Sequence, residues 1–301
     1  MTNAVILSDR DRSLLRLLNW TPATTTLLLW ASSTFDGGSF HDERRLRERL
    51  QTLVGVGFIR LWSTAHAGGG LQNYYKLTPA AFQALYGPDA ELPPRSFFAE
   101  ISPALFEHTL TLAEVIVQTL CGCHTYRVTV NRFFRENELT FRVGDEHVQP
   151  DCFIRFGSGG KNFSVAFEID QSTESVDSHT SNSIRHKLQT YDAYQEMLLS
   201  QWLHHEKTWE RPRFRVAFLT RTVERAYHVL ALARQVAVNK SRRVVYAATQ
   251  ESYLAESDSV RLPIFLDHSG QWQSLIDLHP TARHRREPVR LPCPLETGMP
   301  L

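Results

Sequence analysis

The sequence predicts a mixed α/β chain in two domains: a small helical domain with a strand pair over residues 1–90, and a larger sheet-and-helix domain over 104–280. Three observations predict it. The 301 residues exceed one typical domain and suit two. The most proline-dense internal segment, P-D-A-E-L-P-P-R-S followed by I-S-P, parts the chain and places a linker at 91–103. Around residues 149–171, period-two apolar runs flank the turn G-S-G-G-K-N, the pattern of a β-hairpin.

Composition narrows the class. At 42% hydrophobic and 22% charged residues, the chain is ordinary for a soluble globular protein. No apolar run is long enough to span a bilayer, so no membrane partner is expected. The opening M-T-N-A-V-I-L-S-D-R lacks a basic stretch before its short apolar segment and does not read as a secretory leader. The four cysteines, 121, 123, 152 and 293, form neither a zinc spacing nor a disulfide framework. A reducing, cytoplasmic setting is the expectation. The net charge of +1 means that any nucleic-acid surface must come from local segregation of charge.

In the first domain, Ser8 caps a helix whose apolar side carries Leu14, Leu15, Leu17 and Leu18. A second helix is expected over 23–31 and a third over 41–53. The third sets Leu46, Leu50 and Leu53 on one side and Arg44, Arg45, Arg47 and Arg49 around the other. Two strands, 58–63 and 73–77, enclose a loop with three consecutive glycines and His66. Thr78-Pro79 then opens a closing helix, with Thr at the cap and Pro at the first helical position.

In the second domain a helix is expected over 104–120, then strands at 126–134 and 139–143, then the hairpin. A helix over 182–199, a strand at 214–219, a helix over 222–238, a strand at 244–248 and a last piece over 264–278 follow. That order suits a mixed sheet covered by helices on both faces. A basic, proline-containing tail, 281–301, closes the chain and carries Arg283, Arg285, Arg286 and Arg290.

The hairpin carries the chemistry. Asp151 opens its first strand. Glu168 and Asp170 end the second and, two residues apart, leave the same face. Antiparallel pairing folds the end of one strand beside the start of the other and can bring all three carboxylates together. Crowded carboxylates repel and call for a positive partner, and a hard divalent cation, Mg²⁺ or Mn²⁺, is the obvious one. The alternative for Asp151 is a turn residue before a strand, and for Glu168 and Asp170 a charged sheet edge.

Pro150-Asp151, a hairpin, and then Glu168-Ile169-Asp170 resemble the core of the PD-(D/E)xK nuclease superfamily. E-I-D-Q-S-T-E, with K-L-Q-T-Y-D-A-Y on the next helix, is similar more narrowly to the plasmid replication–relaxation family. The superfamily usually has Lys two residues after the Glu, and here that position is Asp170. The resemblance implies a restriction-endonuclease-like α/β/α core in which Asp151, Glu168 and Asp170 bind metal and Glu114 adds a ligand. It further implies that Lys187 replaces the missing Lys and that Tyr191, one helical turn on, is a candidate nucleophile whose alternative is core packing.

In the first domain, L-x-x-L-V-G-V-G-F-I-R followed by Y-Y-K-L-T-P resembles winged helix–turn–helix regulators. That implies DNA contact by Arg44, Arg45, Arg47, Arg49 and, on the wing, His66. The alternatives are a solvated helix face or a protein-docking module. The partners implied are double-stranded DNA at a plasmid or mobile-element site, with a second copy of the chain or replication and mobilisation proteins beyond it. The expected activity is metal-dependent nicking or relaxation of DNA; the alternative is a catalytically inactive DNA-binding regulator or replication initiator.

Overall fold

The computed structural model describes residues 6–65, 70–172, 175–176, 178, 183–204, 213–242 and 244–276. His66, expected on a wing, and the arginine-bearing tail lie outside them. The chain divides into two compact units, Met1–His124 and Thr125–Leu301.

The first unit opens with α1 (Asp9–Trp20), α2 (Thr25–Ala31), a short 3-10 turn (Ser32–Thr34) and α3 (Glu43–Gly55). Ser8, Thr24 and Asp42 cap the three helices, each accepting a backbone N–H from the first turn. Strands β1 (Ile59–Ala65) and β2 (Leu71–Leu77) pair antiparallel, and Ala23 bridges Tyr75 of β2. Helix α4 (Pro79–Tyr86) follows with Thr78 as its cap. The leucines of α1, α2 and α3 interlock with Ile59, Tyr75 and Leu77 in one buried core.

A short helix, α5 (Arg95–Phe98), occupies the expected linker, and α6 (Pro103–Thr125) follows. Ala113 and Val117 of α6 join the core of the first unit, and Phe106 stacks on Tyr74 of β2 at 5.4 Å. The division between the units therefore falls after α6. The prolines at 88–103 signal a break in regular structure, not the boundary between packed bodies.

The second unit is built on a seven-stranded mixed sheet. Its strands are β3 (Thr129–Arg135), β6 (Cys152–Ser158), β7 (Lys161–Asp170), β8 (Arg215–Thr220), β9 (Val245–Thr249), β10 (Phe265–Asp267) and β11 (Trp272–Gln273). In space the order is β11-β10-β9-β8-β7-β6-β3. β7, β8 and β9 run parallel, and the outer pairs are antiparallel. The expected strand at 139–143 departs from this scheme. It shortens to β4 (Phe141–Val143) and pairs, among the described residues, only with β5 (Glu146–Val148), a separate hairpin whose Phe141 packs on Tyr191 and Phe214. The main-sheet partner of β3 is instead β6.

The parallel crossovers run through α7 (Ile184–His204) and α8 (Val223–Val236), which cover one face with Leu188, Tyr191, Val229 and Leu230 against Ala166, Val216 and Phe218. On the other face α9 (Gln250–Ala255), not expected from sequence, sets Tyr253 against Phe167. The fold class is thus mixed α/β with a central mixed sheet.

One buried ion pair pins α3 to α1. Arg49 Nε and Nη2 donate to the two Asp11 oxygens at 2.7 and 2.6 Å, and Asp11 also completes the Ser8 capping box. Burial alone raises the Asp11 carboxyl, but hydrogen bonds from Arg49 and Ser8 outweigh it and leave the carboxyl below its ordinary range. Arg49→Met strands that charge in the core. We expect a loss of roughly 3 kcal/mol in the first unit, read by urea denaturation of the full chain, since removing one partner of a buried pair leaves an uncompensated ion. A midpoint unchanged by the substitution contradicts this.

Candidate active site

The β6–β7 turn sets the site. Gly159 and Gly160 both have positive φ, at 55° and 74°, the geometry of a two-residue hairpin turn that matches strand twist. From it the register runs Ser158 with Lys161 through to Cys152 with Phe167. That register places Asp151 directly opposite Glu168, and residues facing each other across an antiparallel pair share a sheet face. The face is the one that α7 covers. Asp151 is fixed at both ends: its N–H donates to the Phe167 carbonyl at 3.1 Å, and one carboxylate oxygen accepts the Ile169 N–H at 2.6 Å.

Glu168 is 2% exposed. Lys187 Nζ donates to its Oε2 at 2.9 Å and the Tyr191 hydroxyl to its Oε1 at 2.5 Å. Both donors come from α7, where i and i+4 residues share a helix face. Burial pushes the Glu168 carboxyl up to about 7; the Lys187 charge opposes this and the Asp151 charge adds to it. The two carboxylates repel each other across the strand pair, and Lys187 partly offsets the charge of Glu168.

Tyr191 is fully enclosed, and burial, then the Glu168 charge, raise its phenol well above the ordinary value. It positions Glu168 and is not placed to attack a phosphate. Its core-packing role holds too, through its contact with Phe141 at 5.4 Å between ring centroids. Cys152, behind the pair, is buried, and its thiol is pushed up by burial and by the Asp151 and Glu168 charges, so it is inert.

Asp170 lies on the same face but is engaged elsewhere. Arg225 of α8 grips it with Nε to Oδ2 at 2.5 Å and Nη2 to Oδ1 at 3.0 Å, and the Ser172 N–H donates to Oδ1 at 2.9 Å. Gln250 ties the same strand ends, donating to the carbonyls of Asp170 and Leu219. With both its oxygens bonded to a guanidinium, Asp170 is a strut between β7 and α8, and the pair facing one another is Asp151 and Glu168. Glu114 lies on α6 in the first unit, where burial raises its carboxyl. Arg225 and Gln250 were missed in the sequence because their partners lie 55 and 80 residues away.

Among the described residues, no three His, Cys, Asp or Glu side chains gather as a ligand set. The donors present nonetheless fit Mg²⁺ or Mn²⁺. Mg²⁺ is commonly held by one or two carboxylates, with waters and substrate phosphates completing its shell. A carboxyl raised first by burial and further by a neighbouring carboxylate is also a group that a cation relieves.

On α3, Arg44, Arg45 and Arg47 are exposed, with side chains 86%, 72% and 63% accessible, and pair along the helix with Glu48 and Glu43. Arg49 departs from them, because Asp11 holds it. No helix among the described residues is long and apolar enough to cross a membrane.

No protein-family model matches the chain. No curated protein matches it either. Among solved structures, restriction endonuclease FokI matches at 11% identity over 85% of this chain and 45% of that one, with a TM-score of 0.29. FokI bound to DNA matches at 10% identity over 85% and 46%, with a TM-score of 0.28. The chain spans less than half the length of those structures. At such scores the likeness carries no weight for function, which rests on the geometry.

The raised Glu168 carboxyl has a definite pH signature. Between its ordinary 4.5 and about 7, the folded state keeps a proton that the unfolded state releases. Its contribution to stability therefore declines as pH rises through that window and stays low above it. In chelator, Glu168→Gln should show a shallower fall in melting temperature over the same range. Parallel curves for the two proteins contradict the raised carboxyl.

Proposed function

We propose that this chain is a DNA-docking, metal-dependent phosphodiester hydrolase that nicks duplex DNA. The observation that carries the proposal is the opposition of Asp151 and Glu168 across β6–β7 with Lys187 on Glu168. Asp151 and Glu168 would hold Mg²⁺ or Mn²⁺. Such a cation, when bound, polarises a phosphoryl oxygen and lowers the pKa of water. Lys187, leaving its carboxylate partly to the cation, offers a positive charge to the phosphoryl group as charge builds in the transition state. It thus stands in for the lysine absent at position 170. Tyr191 fixes the Glu168 rotamer, and Asp170 with Arg225 holds the end of β7 against α8.

The first unit supplies docking. Its helices, the Ala23–Tyr75 bridge and the β1–β2 hairpin support a winged helix, with α3 presenting Arg44, Arg45 and Arg47 to the major groove. Recognition by α3 and cleavage by the sheet divide the work, because backbone contacts carry no sequence information. A plasmid or mobile-element setting, and a homodimer or mobilisation partners, rest on the sequence resemblance alone.

A second reading is favoured by one observation. The position of the motif lysine is held by Asp170, whose charge is absorbed by Arg225. In this reading the protein is a DNA-binding regulator or replication initiator that keeps the sheet as scaffold.

Supercoiled plasmid separates the two. With Mn²⁺ the wild type should yield open circles, Asp151→Asn and Glu168→Gln none, and Lys187→Met roughly a hundredfold fewer, the usual loss of one transition-state charge donor. All three variants should keep the gel shift. Plasmid left supercoiled by a wild type that still shifts DNA selects the second reading.

A further inference from the structure

Beside the exposed face of α3 the first unit holds a cleft of about 480 Å³. Arg10 of α1, Phe40 and His41 of the segment before α3, and Arg45, Glu48 and Arg49 of α3 line it. Three arginines meet one glutamate there. Glu48 is already shared by Arg44 at 3.0 Å and Arg45 at 3.5 Å, and Arg49 is held by Asp11. Arg10 is different. Its guanidinium stacks on Phe40 at 4.3 Å from the ring centroid, and Nη1 reaches the Ser39 carbonyl at 3.3 Å. Among the described residues it has no carboxylate partner.

Phe40 is itself buried, so the ring that carries Arg10 is anchored. The Arg49–Asp11 pair fixes the walls by tying α3 to α1. A cationic fork held in one orientation in an open cleft, with no acidic partner of its own, is prepared for an oxyanion with several acceptor oxygens. The cleft shares α3 with Arg44, Arg45 and Arg47, so a phosphate seated there lies alongside the groove that the helix would enter.

We propose that this cleft seats the sugar–phosphate backbone of duplex DNA, with Arg10 as the phosphate contact that sets the register of α3. The proposal rests on the docking role given to α3 above. It assigns Arg10 a part that is independent of base sequence, unlike the exposed arginines of the helix.

The test is binding of a random-sequence duplex of about 30 base pairs across a salt series. One lost phosphate contact should weaken Arg10→Gln about fivefold to tenfold near 0.1 M salt and lower the slope of log K against log salt by about 0.9. A second duplex of unrelated sequence should lose the same factor, and Arg10→Lys should keep most of the slope. If Arg10→Gln binds as the wild type does while Arg44→Ala and Arg47→Ala are weakened, the cleft proposal falls and the docking role of α3 stands. If none of these variants weakens binding, or the wild type binds no duplex, the docking role falls and this proposal with it. A thermal-shift arm with inorganic phosphate distinguishes the other source of the same chemistry. Loss of phosphate stabilisation in Arg10→Gln with duplex binding intact makes the cleft a small-anion site and also overturns the proposal.

Discussion

The candidate site of the second unit depends on the register that sets Asp151 opposite Glu168. Strand register sets these carboxylates opposite one another at the end of β6 and β7, and burial strips water from Glu168 while Asp151 stays part-exposed. One lysine and one phenol answer Glu168, and a backbone amide answers part of Asp151. A buried site whose carboxyl is raised, as that of Glu168 is, is the kind in which ions are recruited.

Asp170 shows how the same strand end manages a charge that is not meant to recruit anything. Arg225 supplies two parallel donors, and the Ser172 amide satisfies a remaining lone pair. Asp170 is bonded to a guanidinium through both oxygens, whereas Glu168 meets one lysine and one phenol. The same contrast recurs in the first unit. Arg49 is committed to Asp11, whereas Arg10 rests on an aromatic ring and a carbonyl.

Much of this was readable in the sequence, for reasons that are local. Alternating Cys152, Ile154 and Phe156, and Val165, Phe167 and Ile169, fix which face the acids leave, and Gly159-Gly160 fixes the register. Ser8 and Thr78 announce helix starts through their caps, whereas the caps Asp42 and Thr222 lie inside the ranges expected to be helical. Long-range pairing was not readable. Nothing within a few residues of Asp170 points to Arg225, nor anything near Arg49 to Asp11. Lys187 was named only through the resemblance, as a stand-in for the lysine missing at position 170. The strand at 139–143 was mistaken for part of the main sheet, because a short apolar run does not say which partner it will find. Helix α6 was assigned across the proline segment, since prolines mark irregular backbone whether or not packing is interrupted there.

The proposed cleavage requires that the paired acids hold a cation. Crystals soaked in Mn²⁺ and measured at the manganese edge test this directly. An anomalous peak is expected roughly 2.0–2.2 Å from carboxylate oxygens of both Asp151 and Glu168. A map without a peak there, or with Glu168 bonded to Lys187 and Tyr191 alone at full Mn²⁺ concentration, contradicts it.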